Sequence, residues 1–163
     1  MEHKDIIRLF KKHKFDSPEA MRAKGLKVKY LNHGLFRLTY KIISDSEGDL
    51  VVKIPKNESE SSIQHSIDEV KKIAKIRKNS KLKAFRRYLP KILYFNRDTG
   101  IILMPEYELF SSNPEIEIVS NFLADLSYDL TGHHGDIHES NVGFYTDREG
   151  KICPVAFDLG YFK

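Results

Sequence analysis

From Lys27 onward the pattern is that of extended segments in three runs, KVKYL and FRLTYKIIS with the period of two of strands and the more apolar DLVVKIP. Asp45-Ser46-Glu47-Gly48 separates the second run from the third and reads as a hairpin turn. Ahead of them the period is helical. Ile6, Ile7, Leu9 and Phe10 fall near one face of a short basic helix. Ser17-Pro18-Glu19 caps a second short helix that ends at Gly25. Residues 58–78 carry Ile63, Ile67, Val70 and Ala74 on one stripe of a longer helix. Two short apolar runs follow, KILYF and GIILM, with Asn96 to Gly100 as a second hairpin between them. In MPEYE a proline blocks helix and interrupts strand pairing. Asn113-Pro114-Glu115 opens another helix, with Val119, Phe122, Leu123, Leu126 and Leu130 at helical spacing, stopping near Gly132. The polar loop HHGDIHESN, the run VGFY, a turn at 147–150 and the run ICPVAF lead to Asp158-Leu159-Gly160. The predicted order is three strands, helix, two strands, helix, loop, two strands.

Composition narrows the setting more than the chemistry. With 163 residues, 40% apolar and 31% charged, the chain has the balance of one globular domain rather than of a disordered segment. A single cysteine, Cys153, excludes an internal disulfide framework and suits a reducing cytoplasm. The N-terminal residues are too charged for a secretory signal, and no run reaches the ~18 apolar residues of a membrane span. A cytoplasmic location is expected, that of a host cell included. The net charge of +4 is modest, but residues 71–91 hold ten lysines and arginines and no acid. That segment is read as a solvated face, or as a docking patch for an acidic partner. Its aromatics, Phe85 and Tyr88, are too few for a base-stacking platform, so nucleic acid is a poor fit.

Candidate chemistry concentrates in three places. Asp136 and Asn141 lie five residues apart in the polar loop, where a carboxylate can act as a base and a carboxamide oxygen can bind magnesium. The same two residues also suit a simple polar turn. Asp158 leaves an apolar strand with glycine two residues on, a placement suited to a metal in a cleft or to capping a turn. Lys53 interrupts the apolar run Val51-Val52-Lys53-Ile54, and a buried ammonium needs an anion. Glu69 is the candidate partner, with Asp68, Glu58 and Glu60 as neighbours of the same charge. His133, His134 and His138 have no cysteine beside them and do not read as a zinc site.

These residues resemble a known superfamily. HGDIHESN is similar to the H-x-D-x-x-x-x-N catalytic loop of protein-kinase-like enzymes, in the H-G-D form of aminoglycoside-phosphotransferase-like and other small atypical kinases. VAFDLG resembles the D-F-G element and VVKIP the V-A-I-K strand. The resemblance implies an α+β, protein-kinase-like two-lobe fold with a five-stranded N-lobe and a severely reduced C-lobe. It implies ATP and Mg2+ as cofactors. Lys53 would bind the α- and β-phosphates and Glu69 would orient it. Gly34 would belong to the phosphate loop, and Glu106, Tyr107 and Glu108 to the hinge whose backbone meets adenine. Asp136 would be the catalytic base, with Asn141 and Asp158 as magnesium ligands. The expected organisation is one domain: a helical extension over 1–25, an N-lobe over 26–105 and a minimal C-lobe over 106–163.

The departures carry information too. Asn32 and Arg37 stand where the outer glycines of the phosphate loop would be, and Arg37 is a candidate for direct phosphate contact. Gly135 occupies the position of the usual arginine, which argues against control by activation-loop phosphorylation. The sequence closes three residues after Gly160, before any substrate-binding helices. The expected activity is that of a minimal serine/threonine protein kinase of effector or phage type, acting on a protein substrate or host partner, with no membrane. The alternatives are a weak pseudokinase serving as a protein-binding module and a basic nucleic-acid binder.

Overall fold

A computed structural model describes residues 1–33, 37–45, 48–56, 60–80, 83, 86, 88–109, 142–146, 149–150 and 152–156. In chain order its elements are α1 (His3–His13), α2 (Pro18–Ala23), β1 (Val28–His33), β2 (Arg37–Ile42), β3 (Leu50–Pro55) and α3 (Glu60–Lys78). Then come β4 (Tyr94–Phe95), β5 (Ile102–Pro105), β6 (Glu108–Leu109), β7 (Val142–Thr146) and β8 (Ile152–Ala156). Contacts divide the chain into two compact units, residues 1–68 with 91–106 and residues 69–90 with 107–163. The expected helix beginning at Asn113, the loop with Asp136 and Asn141, the phosphate-loop Gly34 and Asp158 lie outside the described residues.

The first unit is built on a five-stranded antiparallel sheet of order β1-β2-β3-β5-β4. The three alternating runs of the sequence form its first three strands, and the two later apolar runs form its far edge. Leu50, Val52 and Ile54 of β3 point to one face, where Ile42, Ile101 and Leu103 join them. That face is covered by Ile6 and Phe10 from α1, Phe15, Met21 from α2, and Leu26. Phe10 and Phe15 meet edge to face at 5.0 Å, and Phe10 lies 5.5 Å from the ring of Tyr94. The N-terminal helices are thus part of the core of this unit.

Local chemistry explains the helix ends. Asp5 sits in the first turn of α1 and Lys11, Lys12 and His13 in the last, complementing the helix dipole. Lys14 closes α1 in the left-handed conformation, donating its N–H to the Phe10 carbonyl. Ser17 caps α2, its Oγ accepting the Ala20 N–H at 3.2 Å, with Pro18 at the first helical position. In the β4–β5 hairpin, Asn96 Oδ1 accepts the Asp98 N–H at 2.9 Å, and the Gly100 N–H reaches the Asn96 carbonyl at 2.8 Å. Gly100 adopts φ +74°, and a Cβ there would lie 2.8 Å from Pro55 Cγ and 3.1 Å from Ile63 Cα. Both the backbone angle and the close approach of α3 call for glycine.

Helix α3 departs from its predicted stripe. Of that stripe Ile67 is buried, Ile63 and Val70 are half-buried and Ala74 is exposed, and the other buried positions are Ser62, Ser66, Glu69, Ile73 and Ile76. Their spacing keeps the helical period, but the face is rotated by one residue, about 100°. Apolarity alone could not find it, because three of those five positions are polar.

In the second unit, β6, β7 and β8 form a three-stranded antiparallel sheet, with Glu108 opposite Phe144 and Val142 opposite Ala156. The sequence suggested two strands here. The added β6 has two residues, too few to show any alternation.

Truncation of Phe10 to alanine removes a ring with no solvent exposure from the centre of the first unit. The expected cost is about 3–5 kcal/mol, read as a lower midpoint in urea denaturation. An unchanged midpoint would mean that α1 does not contribute to the core.

Candidate functional site

The register of β2, β3 and β5 determines what surrounds Lys53. It lies opposite Thr39 of β2 and Ile102 of β5, in the central strand of the sheet. Side chains two apart on a strand share a face, so Lys53 stands with Val51, away from Leu50, Val52 and Ile54. Opposed residues also share a face, which adds Arg37, Thr39 and Lys41 from β2 and Ile102 and Met104 from β5. This second face is closed as well. Val51 is 8% exposed, Ile102 0% and Met104 3%. Lys53 is half-buried and not without a partner. Its place on the central strand excludes an edge position for this lysine.

Glu69 is wholly buried on α3 and likewise engaged. A carboxylate there must be paired or neutral. Its helical neighbour one turn earlier, Ser66, is also fully buried, and its Oγ has no hydrogen-bond partner among the described residues. Asp68, the adjacent alternative, is half-buried and accepts a hydrogen bond from Gln64 Nε2 at 2.8 Å.

Where β5 ends, Glu106 is held twice. Its N–H donates to the Asp49 carbonyl at 2.9 Å, and its Oε1 lies 2.9 Å from Lys41 Nζ. Asp49 completes the arrangement, with Oδ2 3.8 Å from the same ammonium and Oδ1 accepting the Ser44 N–H at 3.0 Å. The hydrogen bond from Glu106, with the negative charges of Glu106 and Asp49, raises the Lys41 pKa above the ordinary value despite partial desolvation. The sequence did not single out Lys41 or Asp49. Their only trace was a lysine in an alternating strand and an acid just before the next. Tyr107 follows with its ring 6.2 Å from that of Tyr145, and Glu108 is exposed on β6.

On the basic segment, Lys71, Lys75 and Lys78 are exposed at helical spacing, on the side of α3 opposite its buried stripe. Arg77 spends part of its guanidinium on structure, Nη2 donating to the Pro90 carbonyl at 3.1 Å. Among the described residues no helix is long and apolar enough to cross a membrane.

No family model matches this sequence, and no curated protein matches it in sequence. Solved structures do match in shape. The Rio2 kinase of Chaetomium thermophilum, in a complex with ADP, Mg2+ and phosphoaspartate, aligns with a TM-score of 0.52 at 17% identity, over 97% of this chain and 61% of that one. A second structure of that kinase gives 0.47 at 17% identity, covering 86% and 52% of the two chains. A further kinase domain gives 0.47 at 13%, covering 81% and 47%. This chain spans about three fifths of the length of the Rio2 kinase in that complex. Its fold is protein-kinase-like, and its five-stranded antiparallel sheet resembles a kinase N-lobe.

The Lys41–Glu106 pair has a testable pH signature. A lysine whose pKa is raised by folding contributes stability that is full below its unfolded value of 10.5 and is lost as pH rises through the raised folded value. Glu106→Gln should therefore cost no more than about 1 kcal/mol near neutrality. The difference from the parent should shrink above pH 10.5 in urea titrations. A difference that persists undiminished at higher pH would remove the pair as its source.

Proposed function

We propose that this chain is an ATP-dependent phosphotransferase, moving the γ-phosphoryl group of ATP to a serine or threonine hydroxyl of a protein. The observation that carries the reading is Lys53, a half-buried cation on the central strand of a kinase-like sheet. Val51 and Met104 stand opposite each other on the same face as this cation, and a cation there is suited to phosphate. Glu69, wholly buried, would orient Lys53. Gly34 would lie along the phosphates, and the backbone of Glu106, Tyr107 and Glu108 would meet the adenine. Because the Glu106 N–H is donated to Asp49, an N–H donor toward the base would come from beyond it.

Asn141 and Asp158 are the residues that would hold Mg2+, which supplies charge neutralisation on the phosphates when bound. Lys53 would hold the α- and β-phosphates against the pull of transfer. Asp136 would accept the proton of the attacking hydroxyl and aim its oxygen along the line of displacement. A cytoplasmic protein partner with an acidic segment, including one in a host cell, would dock on the Lys71, Lys75 and Lys78 side of α3, where charge is complementary.

Thermal stabilisation by Mg-ATP tests the reading. At a hundredfold excess over its dissociation constant, ATP should add about 2.7 kcal/mol, a rise of roughly 5–10 °C. Asp158→Asn should abolish the magnesium-dependent part, and Lys53→Met most of the rest. Labelled γ-phosphate should appear on the chain or on a generic protein acceptor. No magnesium-dependent stabilisation would remove the nucleotide site. Binding without transfer would identify a pseudokinase scaffold. Affinity for nucleic acid that ignores Asp158→Asn and falls steeply with salt would favour the basic-binder alternative.

A further inference from the structure

We propose that the ends of α1 and α2 form a docking patch for a short acidic segment of a partner protein, built from Lys11, Lys12, Lys14 and Lys24. The patch uses other residues than the lysines of α3, and it does not rest on the nucleotide reading. Residues 1–29 hold nine lysines and arginines against four acids, whereas the rest of the chain holds eighteen against nineteen. The whole positive excess of the protein therefore lies in its N-terminal layer. Part of that charge is matched locally: Lys4 pairs with Glu2 at 3.2 Å, Arg8 with Asp5 at 3.6 Å and Arg22 with Glu19 at 3.9 Å. Lys11, Lys12, Lys14 and Lys24 are all exposed, and none has an ion pair among the described residues.

These four ammoniums are gathered, not scattered. Lys11, Lys12 and Lys14 surround the last turn of α1, and Lys24 closes α2. His13 marks where the two ends meet: partial burial, then the positive charges of Lys24 and Lys12, hold its pKa below the ordinary value. Helix dipoles account for only part of the gathering. Each C-terminus offers roughly half a negative charge, so two ends supply about one against four cations. The surplus is complementary to an acidic ligand. Its edges favour a short one. Exposed Asp16 and Glu19 follow Lys14 in the chain, and exposed Glu2 precedes α1, so a long uniform polyanion would meet like charge on both sides. Ile6 and Phe10 of α1 are spent on the core, and among the described residues no large apolar side chain of α1 is exposed. The helix thus offers no wedge for a bilayer and no platform for bases. The competing arrangement is four solvated lysines, which would serve an acidic ligand no better than any other cations of the chain.

Fluorescence anisotropy of a labelled hexaglutamate peptide, titrated with the whole chain at one fixed low salt concentration, distinguishes the two. The parent should bind it, and Lys12→Glu/Lys24→Glu should weaken binding by about tenfold or more. The control is Lys27→Glu/Lys29→Glu, which changes net charge equally. Both of its lysines are exposed on β1, where Lys29 stands opposite Lys41 on the sheet face away from α1. That control should lose less than about threefold. Equal losses from the two double variants would overturn the proposal, as would a parent that does not bind the peptide. Where Lys12→Glu/Lys24→Glu fails to melt cooperatively, Lys12→Gln/Lys24→Gln decides: a severalfold loss supports the patch and unchanged affinity overturns it. Tighter binding to duplex DNA, or to phosphatidylserine-containing vesicles, than to the peptide would overturn the assignment of a protein partner.

Discussion

A lysine on a strand that is covered on both faces is the constraint from which the rest of this structure follows. Strand β3 sends Leu50, Val52 and Ile54 into the core, and Val51, on the other face, is nearly as deeply buried. With β2 and β5 on either side, its backbone is paired along both edges. Lys53 is half-buried in that setting, so its ammonium gives up part of its hydration to charge or hydrogen bonds within the chain. A chain under selection for stability alone would place an aliphatic residue there. The cation is the point at which the sheet departs from what packing would choose.

The N-terminal helices create that constraint. If α1 and α2 were absent, the face carrying Leu50, Val52 and Ile54 would be open, and β3 would be an ordinary one-sided strand. Phe10 and Phe15 meet at its centre, and Met21 and Leu26 close the surface toward β1. Residues 1–25 look like an extension in a linear reading. Physically they are one layer of the first unit, and the burial of β3 on its core side depends on them.

Much of this was legible in the sequence because it rests on local signals. The alternating runs gave the strands, Ser17 and Pro18 the start of α2, and Gly48 and Gly100 the positive-φ positions of the two hairpins. The misses share a cause. The buried face of α3 includes Ser62, Ser66 and Glu69, so a search for apolar residues found the neighbouring face instead. Two-residue β6 has no period to detect. The Lys41–Asp49–Glu106 cluster joins residues from β2, the β2–β3 turn and the end of β5, which come together only once β3 pairs on both sides. Lys53 and Glu69 were named from pattern and are described here as half-buried and wholly buried. Asp136, Asn141 and Asp158 lie outside the described residues and stand on sequence alone.

The same cluster limits how the segment after β5 can be used. Pro105 has no N–H, and the Glu106 N–H is committed to Asp49, so the first two residues past Met104 present no amide hydrogen to a ligand. The Glu106 side chain is committed as well, holding Lys41 at the far side of the sheet from Arg37. At one end a lysine is neutralised by the protein's own acids and fixes where β5 stops. At the other, an arginine and a lysine are set side by side on neighbouring strands.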